Sequence, residues 1–216
     1  MQTGPGGRGV GKRRGRPARS ARGSETDQRR PFERRSVSEL LEAGELTSEE
    51  AAERARETLL RMLTAAPKSR RELEQSLARK GYPEHVVTPL LDRFDDVGLV
   101  DDAGYAELII RTRHAERGLA RRAIAMELRR RGIDEDTASQ ALEQVDPEDE
   151  RAAASELARK HVARTRGLDQ QVRIRRAVGA IARKGHNPGV ALEAVRAALA
   201  AEGEAVDDDL VGHDLD

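Results

Sequence analysis

The chain has 216 residues, of which 37% are hydrophobic, 36% are charged and 2% are aromatic, and it contains no cysteine. This composition argues against a sheet and against one large core, whereas Leu and Ala at helical spacing can fill several small helical cores. The lack of cysteine excludes disulfides, thiolate metal sites and cysteine nucleophiles. The net charge of +0 combines a basic start, with 11 basic and 3 acidic side chains in residues 1–35, and an acidic end at 202–216, with 7 acidic side chains and no Lys or Arg.

Residues 1–48 are expected to form a mostly disordered basic arm. Residues 1 to about 35 are rich in Gly, Arg, Pro and Ser and have too little apolar content to offset the entropy lost on ordering. The arm either binds nucleic acid non-specifically or is a tolerated low-complexity extension. No apolar run is long enough to cross a bilayer and the start lacks the apolar core of a secretion signal, so we expect a cytoplasmic protein.

Residues 49–101 are predicted to form a three-helix module. Ser69, followed three residues later by Glu72, is a capping box that begins the second helix. Gly81 ends that helix by supplying the left-handed residue that a helix C-terminus commonly needs. Pro89 lies inside the predicted third helix, where it removes a hydrogen bond and costs about 3 kcal/mol unless a kink accommodates it.

The same pattern recurs twice more, around Gly132 and Gly185. When these glycines are superposed on Gly81, apolar positions coincide, among them Leu77, Leu128 and Ile181. Self-similarity at a spacing of about fifty residues indicates tandem helical modules.

The repeats predict two further three-helix modules, at 102–147 and 148–201, followed by the acidic tail at 202–216. Polar residues stand where a helix of each module is expected to begin. We expect them to be helix N-caps: Asp102, Asp134 and Asn187.

Basic residues also recur at matching positions of the three modules. The early row, near the start of each second helix, is Arg71, Arg122 and Arg175, and the late row, near its end, is Arg79, Arg130 and Arg183. A cation at the start of a helix opposes the helix dipole, so the early row favours a shared binding face, with a solvated face as the alternative. The core has only Tyr82 and Tyr105 on which bases could stack, so contacts are expected with phosphate or with acidic protein.

No pattern in the sequence indicates catalysis. The five histidines have no spacing typical of a metal site, and no nucleophile elbow, kinase signature or dinucleotide loop is present. We therefore expect no catalytic residue, metal or cofactor, and a monomer that acts by binding.

Several segments, taken together, resemble the RecX regulatory proteins of bacteria over about residues 49–201. They are SRRELEQSLARKGY, GLVDDAGYAELIIRTR and the turns RRRGI and RKGH. The resemblance implies an all-α fold, an elongated tandem array of three three-helix modules. It also implies a partner, the RecA recombinase filament, and a role in DNA recombination, DNA repair and the SOS response.

The implied activity is inhibition or modulation of strand exchange and co-protease activity. A row of small modules is expected either to lie in the filament groove, where many weak contacts add as avidity, or to cap a filament end. The alternative function is a helical repeat protein that contacts DNA phosphates directly and binds DNA without recombinase.

Overall fold

The computed structural model describes residues 35–203, and within that range the chain forms ten α-helices and one π-helical turn without strands. The helices are α1 Val37–Glu42, α2 Ser48–Ala65, α3 Arg70–Ala78, α4 Glu84–Asp96, α5 Asp102–Arg111, α6 Arg121–Arg131, α7 Glu135–Leu142, α8 Pro147–Arg164, α9 Gln170–Ala182 and α10 Pro188–Ala201, and the π-helical turn is Thr112–Glu116. The all-α fold class is confirmed. Residues 1–34 of the basic arm and 204–216 of the acidic tail lie outside the described residues.

Three apolar cores lie along the described chain, each built mainly by three consecutive helices. The first joins α2, α3 and α4, the second α5, α6 and α7, and the third α8, α9 and α10. Leu77, Leu128 and Ile181 occupy corresponding places in the three cores and are all fully buried. The apolar positions that repeat in the sequence therefore repeat as core positions.

Helix α1 lies in the stretch that the sequence assigned to the basic arm. Ser36 begins it with a capping box, because its hydroxyl accepts from the Glu39 N–H while the Glu39 carboxylate accepts from the Ser36 N–H. Leu40 packs against the first core and Leu46 is buried in it. These apolar side chains make residues 35–48 part of the folded unit of the first module.

Pro89 lies inside α4, and the helix continues around it from Glu84 to Asp96. Both Pro89 and the residue four positions earlier, His85, are exposed. The carbonyl that loses its helical partner is therefore at an exposed residue, where water can bond to it.

Asp102 is not the N-cap of α5, so that prediction is wrong. Asp101 is the N-cap, and its carboxylate accepts a hydrogen bond of 2.9 Å from the Gly104 N–H. The Asp102 carboxylate instead accepts from the backbone N–H of Arg70 at 2.9 Å. The first N–H groups of a helix lack partners within the helix, so Asp102 satisfies one of them in α3 and ties α5 to α3.

The other residues singled out as caps lie at helix ends as follows. Ser69, Asp134 and Asn187 are the N-caps of α3, α7 and α10, and Gly132 is the C-cap of α6 with φ +82°. Gly81 and Gly185 lie two residues beyond the C-caps of α3 and α9, with φ +83° and +92°. Helices α3 and α9 thus end two residues earlier than their sequence patterns predict.

Candidate partner-binding surface

One kind of joint connects successive modules: the N-terminus of a helix rests on the glycine turn of the next module. Gly185 lies against the start of α6, where the Ala120 N–H donates to the Lys184 carbonyl at 3.0 Å. A Cβ atom on Gly185 would come within 2.9 Å of the backbone nitrogen of Ala123. Both the positive φ and this close approach require glycine.

The same joint occurs at the other two glycine turns. Gly132 lies against the start of α3, where the Ser69 hydroxyl donates to the Arg131 carbonyl. Gly81 lies against the start of α1, where the Ser38 N–H and hydroxyl both donate to the Gly81 carbonyl at 2.9 Å. These joints hold the first and second modules, and the second and third, in a fixed register.

An ion-pair network reinforces the joint between the first two modules. Arg131 donates to Glu127 at 2.9 Å, to Glu72 at 3.2 Å and to the Tyr105 hydroxyl at 2.6 Å. Arg113 donates to both carboxylate oxygens of Glu127, at 2.7 and 2.8 Å. The hydrogen bonds from Arg113, with those from Arg131, lower the pKa of Glu127 to about 2 although burial opposes this shift. Sequence reasoning missed this network because Glu72 and Tyr105 lie 59 and 26 residues away from Arg131 in the chain.

The six arginines of the two rows are all exposed. Within residues 35–203 none of them forms an ion pair, and Arg79 donates only to the Ser76 hydroxyl of its own helix, at 3.2 Å. The early row is not uniform. The stem of Arg71 lies over Gly132 at one joint, whereas at the next joint Gly185 lies against Ala123, the residue after Arg122. Exposed guanidinium groups without carboxylate partners are suited to bind carboxylates or phosphates of another molecule.

The first module also carries an exposed apolar groove, which we call the module 1 groove. It has a volume of about 410 Å³ and is lined by the apolar Leu60, Leu90, Phe94, Val97 and Leu99 and by the charged Glu53, Arg56 and Arg93. Val97 is 68% exposed and Leu99 51%. Exposed apolar patches commonly mark contact surfaces. Helical periodicity does not reveal this groove, because Val97 and Leu99 follow the last helical residue of α4.

Two further properties concern the described residues alone. No group of three or more acidic or histidine side chains in 35–203 is placed to hold a metal ion. None of the helices in this range is both long and apolar enough to cross a membrane.

Two family models match the chain: the first three-helix domain of RecX over residues 55–94 and the second over 101–142. "Regulatory protein RecX" of Thermobifida fusca is 48% identical over 164 residues, which cover 76% of this chain and 89% of that protein. The chain belongs to the RecX family. The RecX regulatory protein of Streptomyces coelicolor is 43% identical over 152 residues, covering 70% of this chain and 81% of that protein. The family resemblance noted in the sequence is confirmed.

Solved RecX structures share the fold. The crystal structure of RecX from Lactobacillus salivarius superposes with a TM-score of 0.63 at 19% identity, covering 69% of this chain and 97% of that chain. A second crystal structure, titled regulatory protein RecX, gives a TM-score of 0.62 at 25% identity, covering 69% of this chain and 75% of that one. The three-helix modules are therefore a RecX architecture.

Proposed function

We propose that this chain binds RecA recombinase filaments and thereby inhibits or modulates strand exchange and co-protease activity. It acts in the cytoplasm as a monomer and has no catalytic activity of its own. Membership of the RecX family is the observation that carries the proposal. The contact lies in the filament groove or at a filament end.

The repeated joint supports binding to a repeating partner. The glycine turns of the second and third modules lie against the starts of α3 and α6 in the module before. The early-row arginines, one in each module, are therefore held at fixed intervals. A filament offers the same surface on each of its subunits, and contacts made in series add as avidity. An arginine can meet a carboxylate with two hydrogen bonds, which favours an acidic protein surface as its target.

The module 1 groove supplies the apolar part of the proposed contact. Binding energy at protein interfaces is concentrated in a few buried apolar and arginine side chains. Leu99 and Val97 are exposed beside Arg93, which forms no ion pair within residues 35–203, so the first module has both kinds of group at one place. Insertion of an apolar side chain of the partner would bury the groove.

The test is co-sedimentation with RecA filaments, compared with naked single-stranded DNA at the same salt concentration. Specific sedimentation with the filament supports the proposal. Equal binding to naked DNA that weakens steeply with salt would instead favour the alternative, a DNA-binding repeat protein that contacts phosphates.

Charge reversal locates the contact. Arg71→Glu, Arg122→Glu and Arg175→Glu together should leave the chain folded. Exposed substitutions usually alter stability by no more than about 0.5 kcal/mol each, and only Arg71, whose stem covers Gly132, adds a loss of packing at a joint. Inhibition of strand exchange should fall sharply, and each single change should give a partial loss.

A matched control reverses one exposed arginine on the first helix of each module. Arg54, Arg111 and Arg151 serve this purpose, because each is exposed and has no ion pair among residues 35–203. This control should retain inhibition. Full inhibition by the folded early-row variant, or equal loss in the control, would remove the early row from the contact.

A further inference from the structure

Four cationic or titratable side chains meet where the third module joins the second. We call them the junction cation cluster: His161 and Arg164 of α8, and Arg183 and Lys184 at the end of α9. His161 and Arg164 are three residues apart and share one face of α8. The Lys184 ammonium donates to the carbonyl of Arg117 in the loop before α6, and that loop lies on α8, because a Cβ on Gly118 would be 3.3 Å from Leu157.

The electrostatics of His161 agree with this placement. Burial lowers the pKa of His161, and the positive charges of Arg164, Lys184 and Arg183 lower it further. Three cations therefore act on one imidazole from two helices.

Carboxylates of residues 35–203 do not neutralise the cluster. Within residues 35–203, Arg164, Arg183 and Lys184 form no ion pair with a carboxylate. The corresponding joint between the first two modules differs, because Arg131, which aligns with Lys184, pairs there with Glu72 and Glu127. Like charges held together attract an anionic partner.

The described chain leaves the third module beside this cluster. Glu202, directly after α10, accepts hydrogen bonds from Arg166 at 2.7 Å and from the buried Arg173 at 2.7 Å. Arg173 also donates to the carbonyl of Val162 at 2.8 Å, next to His161 in α8. Glu202 is therefore anchored beside the last turn of α8, and residue 204 follows it by two positions.

The segment that follows has the complementary charge. Residues 204–216, EAVDDDLVGHDLD, contain six acidic side chains and no Lys or Arg. Thirteen extended residues span at most about 45 Å, whereas the whole of α8 is about 27 Å long. The segment can therefore reach every member of the cluster, and its attachment gives it a high effective concentration there.

We propose that residues 204–216 lie across the junction cation cluster of their own chain and compete there with other anionic ligands, such as nucleic-acid phosphates. The contact is intramolecular and independent of any recombinase. The cluster is then an anion site for which the tail and a more highly charged ligand compete.

The direct test uses a spin label, because the chain has no cysteine of its own. A nitroxide attached through Leu210→Cys should broaden the backbone amide signals of His161, Arg164 and Arg183 in the ¹⁵N-labelled chain, and should leave the amide of Arg54 sharp. A mixture of spin-labelled chain without ¹⁵N and ¹⁵N-labelled chain without the nitroxide should show no broadening. Absence of broadening in the first sample, or equal broadening in the mixture, would overturn the proposal.

The competition test measures binding of fluorescent single-stranded DNA without recombinase. Removal of residues 204–216 should tighten binding about tenfold at low salt. Adding Arg164→Gln, Arg183→Gln and Lys184→Gln should abolish this gain, whereas Arg54→Gln, Arg111→Gln and Arg151→Gln should preserve it. Melting curves establish that each variant is folded. Unchanged affinity after removal of the tail, or a gain that survives in the cluster variant, would refute competition at this site.

Discussion

Replacement of Gly185 by alanine tests whether the glycine turns are joints between modules. At φ +92° an alanine costs about 1–2 kcal/mol for its left-handed backbone. Its Cβ would also come within 2.6 Å of the Ala123 Cβ and 2.9 Å of the Ala123 nitrogen. These atoms cannot rotate away, so the overlap adds the cost of overpacking, about 1–3 kcal/mol.

Gly167 provides the matched control in the same module. It has φ +83°, and a Cβ there would meet no atom within 4 Å, so Gly167→Ala carries the backbone cost alone. Urea unfolding followed by circular dichroism should therefore show Gly185→Ala to be less stable than Gly167→Ala by about 1–3 kcal/mol. Hydrogen exchange at the Ala120 amide, which donates to the Lys184 carbonyl, should accelerate only in the Gly185 variant. Equal losses of stability in the two variants, with unchanged exchange, would refute the joint.

Three other changes test contacts of the first two modules. The pKa of Glu127 is about 2 in the folded chain against an ordinary value of 4.5, so its contribution to stability is present above pH 4.5 and is lost as the pH falls towards 2. Glu127→Gln should therefore lower the melting temperature at pH 7 and reduce the loss of stability between pH 4.5 and pH 2. Asp102→Ala should cost about 1 kcal/mol in urea unfolding and accelerate exchange of the Arg70 amide, whereas Asp102→Asn, which keeps an acceptor oxygen, should lose less; equal effects would argue against the hydrogen bond. Leu99→Asp should leave melting unchanged and weaken filament co-sedimentation, and full sedimentation of this variant would exclude the module 1 groove from the contact.

Local patterns predicted much of the fold because they depend on neighbours in the chain. The capping box at Ser69 needs only Glu72, and the positive φ of Gly132 follows from the end of its own helix. Leu77 and its equivalents form core positions because their spacing places them on one helical face. None of these inferences requires knowledge of what lies on the other side of a helix.

Contacts between modules were not predictable in the same way. A carboxylate at Asp102 is equally suited to cap α5 or to accept from another helix, and only the packing of α5 against α3 decides between them. Gly132 was recognised as a helix end, but its second requirement, the side chain of Arg71 lying over it, comes from a residue 61 positions away. The early-row arginines are exposed as expected, but sequence alone did not reveal that one of them also covers a joint.

Arg173 shows how the third module differs from the two before it. Counted back from the three glycines, Ser69, Ala120 and Arg173 occupy the same position, twelve residues before Gly81, Gly132 and Gly185 respectively, and all three are fully buried. In α3 and α6 the glycine turn of the next module lies at this position. Helix α9 instead has its N-cap one turn earlier, at Asp169, so the same position lies inside the helix.

The buried guanidinium of Arg173 bonds to the Val162 carbonyl and to Glu202, the residue that follows α10. A charge buried in this way requires a partner, and the end of α10 supplies one. The joint used at α1, α3 and α6 is therefore replaced at α9 by a contact with Glu202, directly after α10. Because Arg173 also bonds to the Val162 carbonyl, this contact fixes Glu202 beside the last turn of α8, so the feature that stops the joint from recurring at α9 ties the end of the third helix of the module to its first helix.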